Sequence, residues 1–199
     1  MKFVVISPRT VLTLALSGAA AVLLVGVAQP AWAQQALVPA QSEITFITKQ
    51  MGVPVDGKFT QFDAQVAFDP KAPETAKIAF TIDMASATLG IPETDAELGK
   101  PDWFDSTKHP KATFRSTAIK PLGSGRYEVT GDLEIKAQRR AVTVPVMITQ
   151  AAGNTTAAGS FSIKRLDYRI GEGDWKDTSM VADPVQIKFK LVLSGVPAM

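Results

Sequence analysis

Between Ile44 and Leu193, apolar side chains return at every second residue, in run after run. The last run is the cleanest: Val185, Ile187, Phe189, Leu191 and Leu193 alternate with Gln186, Lys188, Lys190 and Val192. A two-residue period places one set of side chains on each face of an extended strand. Earlier runs repeat the pattern at Ile44–Phe46–Thr48, Val55–Gly57–Phe59, Phe62–Ala64–Val66–Phe68 and Ile78–Phe80–Ile82–Met84. It continues at Ala112–Phe114–Ser116, Tyr127–Val129–Gly131–Leu133–Ile135, Val142–Val144–Val146–Ile148 and Ala157 to Ile163. Turn residues separate the runs, among them Asp69–Pro70, Gly123–Ser124–Gly125 and Gly153–Asn154. Only Glu93 to Leu98 has room for a helical turn or two, with Thr94 as the candidate cap. About eight or nine strands joined by short turns predict an up-and-down antiparallel barrel or sandwich.

The connectors carry the remaining signal. Gly99 to Ser116 holds two large rings, Trp103 and Phe104, between Asp102 and Asp105, and then launches a strand after Pro110. Gln34 to Pro39 reads as a short tail and Lys136 to Arg140 as a polar turn. Pro145 lacks a ladder donor, so its strand is expected at an edge or a bulge. Lys164 to Asp183 reads as a long polar loop with Tyr168, Ile170, Trp175 and Met180 embedded in it. Trp103, Phe104 and Trp175 therefore either form a lid over one end of the β-structure or plug a filled core.

Residues 1–33 have the pattern of a cleavable export signal. Lys2 and Arg9 precede the apolar run Val11 to Ala28, then Pro30 and Ala31–Trp32–Ala33. An uncleaved membrane anchor is the alternative. Cleavage predicts a single domain over 34–199 and a periplasmic location. Lys2 and Arg9 are the segment's only charges, and without them the 21 basic residues fall to 19, against 19 acidic. A neutral domain is a poor electrostatic match for nucleic acid. There is no cysteine, which excludes disulfides, thiolate metal sites and lipidation of an N-terminal cysteine.

Catalytic chemistry finds little support. His109 is the only histidine and precedes a proline in a polar turn, so a triad or a histidine metal site lacks partners. Asp167, Glu172, Asp174, Asp177 and Asp183 do not follow the spacing of a calcium-binding loop. Gly171–Glu172–Gly173 lacks the strand–loop–helix context of a phosphate loop. The chain is read as a non-enzyme without a metal. Arg165 beside Asp167 either pairs with an anionic headgroup or forms a structural pair with that aspartate. Phe46, Phe80, Phe114 and Phe189 occupy alternating positions on separate strands; in a hollow barrel they would line a tunnel with Ile82 and Leu133 beside them.

Several segments, in order, resemble the YceI-like family of lipocalin-like, polyisoprenoid-binding periplasmic proteins. Gly57–Lys58–Phe59 with Phe62 and Phe68–Asp69–Pro70 is similar to the family's G-x-F, aromatic and F-D-P run. Trp103–Phe104–Asp105 and then Pro110 to Ser116 resemble its aromatic-F-D and P-x-x-x-F-x-S signature. Gly131 to Ile135 resembles its G-D-L-x-I hairpin, and Arg165 to Gly171 its R-x-D-[FY]-x-I-G segment. Gln41 and Gln50 stand where the family often has histidines, and Thr94 to Glu97 replaces its Arg-Asp pair. The run Gly173 to Met180 resembles a divergent branch associated with membrane cytochrome b561. The resemblance implies an all-β, eight-stranded antiparallel barrel with a short helical connector, around a long apolar tunnel. It implies an isoprenoid lipid or isoprenoid quinone as ligand, held without a covalent cofactor. Cytochrome b561 and a second copy of the chain are the candidate protein partners. A ligand-free structural or stress-related domain is the rival expectation.

Overall fold

The computed structural model describes residues 35–199; the signal segment and its cleavage site lie outside the described residues. The strands, in chain order, are β1 (Ala36–Leu37), β2 (Glu43–Gln50), β3 (Val53–Phe59), β4 (Phe62–Ala67), β5 (Lys77–Asp83) and β6 (Ala87–Thr88). The helix α1 (Pro92–Leu98) follows. Then come β7 (Lys111–Gly123), β8 (Arg126–Ile135), β9 (Gln138–Ala151), β10 (Asn154–Lys164) and β11 (Pro184–Ser194). All of the pairings are antiparallel, in the order β4-β5-β7-β8-β9-β10-β11-β2-β3-β6, with β1 added to β11. This is the expected lipocalin-like β-architecture, with eleven strands instead of eight: β1 and β6 are two-residue pieces, and nine longer strands make up the rest.

The sheet curls until its two ends approach, and side-chain amides and hydroxyls tack the seam. The Gln35 amide donates to the Phe68 carbonyl (2.7 Å) and accepts from the Phe68 N–H (2.8 Å). At the β3–β4 corner, the Gln61 N–H donates to Ser86 Oγ (3.1 Å) and the Thr60 N–H to the Ser86 carbonyl (3.2 Å). Ser86 is buried there.

Local corrections follow from these contacts. The tail before Pro39 includes β1, which is drawn into extended form by pairing with Leu193 and Ser194. Thr94 lies inside α1; Ile91 is the cap residue, makes no side-chain cap bond, and Pro92 opens the helix. The β8–β9 turn is only Lys136–Ala137, both in the left-handed region (φ 47° and 58°), so the strand already resumes at Gln138. Pro145 lies in an interior strand, yet the β9–β10 ladder ends at Val146 and Gly159, one residue short of it. On the β10 side its missing N–H therefore breaks no rung, while on the other side Pro145 stays in register with Glu128 of β8. The 164–183 loop contains two 3-10 turns, Arg165–Tyr168 and Gly173–Lys176.

Two apolar clusters pack toward opposite ends of the barrel. One gathers Met84, Leu98, Phe104, Leu133, Ile135, Ile163, Tyr168 and Ile170, and the other Phe68, Ile119, Tyr127 and Val129. Phe114 touches both. Burial of the Tyr168 phenol pushes its pKa up to about 12.

Candidate functional site: a central apolar cavity

A cavity of about 580 Å³ runs through the curled sheet. The strand period builds it. Ile44, Phe46, Thr48 and Gln50 on β2, Phe80 and Ile82 on β5, and Val185, Ile187, Phe189 and Leu191 on β11 all face it. Many of these inward side chains, Phe80, Ile82, Phe114 and Phe189 among them, are only half-buried. They point inward but have open space before them, which a filled core would not leave. The volume falls in the range of small-molecule sites and is several times that of a single-residue void.

Glycines hold the rings against the wall. Phe46 pairs with Gly57 across β2–β3, and Phe189 with Gly159 across β11–β10. A Cβ on Gly57 would sit 2.2 Å from the Phe46 ring, and one on Gly159 2.6 Å from the Phe189 ring. At Gly131 the corresponding contact with Phe114 is 2.5 Å. Each ring thus lies flat over a missing side chain and leaves the centre open.

One end is capped by the connectors. Phe104 is buried and packs against Phe59, which packs against Phe46 (ring centroids 6.1 and 5.3 Å apart). Above it, Trp103 and Trp175 stack at a tilt with centroids 5.3 Å apart, and Trp175 remains 38% exposed. Backbone bonds join the two connectors: the Gly171 and Glu172 N–H groups both donate to the Asp102 carbonyl (2.7 and 2.8 Å). Lys136, buried at the β8–β9 turn, donates from Nζ to the carbonyls of Pro101 (2.8 Å) and Arg169 (2.7 Å) and lies 3.5 Å from Glu172. The hydrogen bond from Arg169, with Lys136 adding its charge, holds the Glu172 carboxyl below its usual range.

Arg165 is 1% exposed and has no free donor. Nε donates to the Ala182 carbonyl (3.2 Å), and Nη1 to those of Ile170 (2.8 Å) and Gly171 (2.9 Å). Nη2 donates to the carbonyls of Trp175 (2.6 Å) and Val181 (2.8 Å). A guanidinium carries five N–H donors, and all five go to backbone. Arg165 therefore organises the 165–183 loop, and both earlier readings give way: it neither presents donors to a headgroup nor pairs with Asp167. Burial lowers its pKa and the charge of Asp183 opposes that. Gly171 has to be glycine here, since a Cβ would lie 2.2 Å from Arg165 Nη1 at a φ of 75°.

All ten residues singled out from the sequence line the cavity: Phe46, Phe80, Ile82, Trp103, Phe104, Phe114, Leu133, Arg165, Trp175 and Phe189. Sequence reasoning missed Thr48, Gln50, Glu93, Thr94 and Glu97, which supply much of the polar lining. The alternation does put Thr48 on the face of Ile44 and Phe46, so a hydroxyl at an inward position was the available signal. The helix side chains had none, because where α1 docks is set by tertiary packing.

Solved and curated proteins share this architecture. The crystal structure of BcnA from Burkholderia cenocepacia aligns with a TM-score of 0.76 at 46% identity, covering 78% of this chain and 98% of that one. A polyisoprenoid binding domain from Saccharophagus degradans, implicated in plant cell wall breakdown, aligns with a TM-score of 0.67 at 15% identity, covering 82% and 99%. That likeness is one of fold. A UPF0312 protein of Ectopseudomonas mendocina is 37% identical over 92 residues, 46% of either chain, so the chain spans about half the length of that curated relative. The YceI-like domain family matches residues 36–193, and the chain belongs to that family.

Proposed function

We propose that the protein is a non-enzymatic periplasmic carrier that holds the tail of an isoprenoid lipid or isoprenoid quinone in its cavity. The observation that carries this reading is the cavity itself: about 580 Å³ of almost wholly apolar interior that the protein's own side chains leave open. Burying apolar chain contributes about 0.8 kcal/mol per CH₂, so a tail of a few isoprene units binds without polar chemistry. The fold shared with the Saccharophagus degradans polyisoprenoid binding domain supports the ligand class. The export pattern ending at Ala33 supports the location. A quinone held in this way would suit service to a membrane cytochrome b561, the partner suggested by the Gly173 to Met180 run. Open space around half-buried inward rings weighs against the ligand-free rival, which needs a filled core.

Organic extraction of protein purified from the periplasm, followed by mass spectrometry, tests the reading. An isoprenoid chain recovered at close to one per protein is the expected result. Protein that is empty after gentle purification, and that takes up no isoprenoid from detergent, would sink it.

A further inference from the structure

The cavity reaches the surface at the capped end. Of the residues that line it, only Glu93 and Trp175 are exposed, and Trp175 stacks on Trp103 in the cap. Uncovered apolar side chains gather beside this mouth. Gln50, also in the lining, is followed by Met51, Gly52, Val53 and Pro54, four exposed residues at the β2–β3 turn. Met51 is 71% and Val53 64% exposed. The turn is tight, with Met51 and Gly52 in the left-handed region (φ 49° and 82°). The Met51 N–H donates to the carbonyl of Met180 (2.8 Å), another exposed apolar residue. Asp177 shapes the turn that presents Met180 by accepting from the Ser179 N–H (2.8 Å) and hydroxyl (2.7 Å). Val181 bridges to Gln50, and its carbonyl shares Arg165 Nη2 with the carbonyl of Trp175 (2.8 and 2.6 Å). Hydrogen bonds thus tie Met51, Met180 and Trp175 into one rim, although they come from a hairpin and a distant loop. An exposed apolar cluster of this kind marks an interaction site.

We propose that this rim docks on a lipid bilayer, with the Met51–Pro54 hairpin tip and Met180 entering the interface so that the mouth opens onto hydrocarbon. The choice of a bilayer as the occupant rests on the apolar-tail reading above: a tail passes from membrane to cavity without crossing water only if the mouth meets the membrane. Trp175, with one face on the cap and the other wet, suits the membrane–water boundary. Charges on the two rim segments offset one another, Lys49 and Lys176 against Asp174 and Asp177, and Glu93 stands at the mouth. Nothing there draws the rim to an anionic surface or a charged protein, so the association is apolar. The hairpin is already fixed by its turn and by Met180, and it loses little freedom on docking. Leu122 and Met147 are also exposed, but they flank the β7–β8 turn at the other end, where no residue of the cavity lining is exposed.

The test floats protein purified from the periplasm with vesicles of phosphatidylcholine and phosphatidylethanolamine. Wild type should float, and the emission of Trp103 and Trp175 should shift to the blue. The double variant Met51→Ser, Val53→Ser should lose about tenfold in vesicle affinity. The far-end control Leu122→Ser, Met147→Ser should float as the wild type does. Both double variants change exposed residues and should melt like the wild type. High salt or added phosphatidylglycerol should alter flotation little. The hairpin variant should take up an isoprenoid benzoquinone more slowly from vesicles, yet as well as wild type from detergent micelles. Wild type that stays off the vesicles, or a hairpin variant that floats equally well, would overturn the proposal and leave the tail reading intact. So would flotation only with vesicles that hold a membrane protein, or a wild-type dimer in ultracentrifugation that the hairpin variant loses. Protein that floats but takes up no isoprenoid from either source would overturn the tail reading and leave the docking.

Discussion

Glycine and phenylalanine act as one unit in this sheet, and the three such pairs are not equivalent. At Gly57 a new Cβ meets the Phe46 ring and the Leu89 methyl at 2.8 Å or less, both of which are side chains able to move. At Gly131 it also meets the Arg115 carbonyl oxygen at 2.4 Å, and at Gly159 the Pro145 carbonyl oxygen at 2.4 Å, and backbone cannot give way. Gly131→Ala is therefore expected to cost about 1–3 kcal/mol by overpacking. Gly57→Ala should cost less and instead turn Phe46 into the cavity, lowering lipid content in a well-folded protein. Thermal melts and extracted-lipid counts on the two variants check this. Equal destabilisation with equal lipid loading would show that the rings are not held in place by the glycines.

The cap is a set of connectors held by buried cations, and its weak point is acidic. Lys136 and Arg165 are both buried and both donate to loop carbonyls, which leaves Glu172 as the carboxylate beside Lys136 and Arg169. The folded protein holds the Glu172 pKa below the ordinary value of 4.5, so the unfolded chain takes up its proton first as pH falls. The stabilisation is thus complete above that ordinary value and is lost as pH drops through the lower, folded one. Fluorescence of the Trp103–Trp175 pair should report the loosening of the cap in this acid window. Glu172→Gln should reduce the pH dependence of that signal and leave a looser cap at neutral pH. An unchanged acid profile in the variant would remove Glu172 from the account.

For the whole molecule the decisive property is the unfilled interior. In a filled core, Phe80→Trp would overpack at a cost of about 1–3 kcal/mol. Phe80 faces open space, so the ligand-free variant should melt within about 1 kcal/mol of the wild type. Bound lipid should then raise wild-type stability by about 2.7 kcal/mol at a hundredfold excess over Kd, and raise the variant's by less, because the added ring shortens the space for a long tail. Melts of both proteins with and without lipid measure the two effects together. A large loss in the ligand-free variant would mean that the interior closes when empty.

The period-two alternation determined that the chain is β and which side chains face inward, and the short turns between the runs made the order antiparallel. A strand has only two faces, and the core claims one of them. That is why Phe46, Phe80, Phe114, Leu133 and Phe189 could be placed from the sequence, and why Thr48 was on the right face as well. The Trp103–Phe104 stretch and Trp175 were legible as end-closing rings because large aromatics in polar connectors need an apolar floor. Whether the interior was hollow or filled could not be read, since both alternate in the same way; ring placement over Gly57, Gly131 and Gly159 decided it. The role of Arg165 was equally out of reach, because five carbonyls supplied by distant stretches of one loop leave no pattern in the side chains. The same holds for Lys136, whose acceptors at Pro101 and Arg169 lie more than thirty residues away. Backbone groups carry no residue identity, so contacts made to them emerge only when the chain is folded.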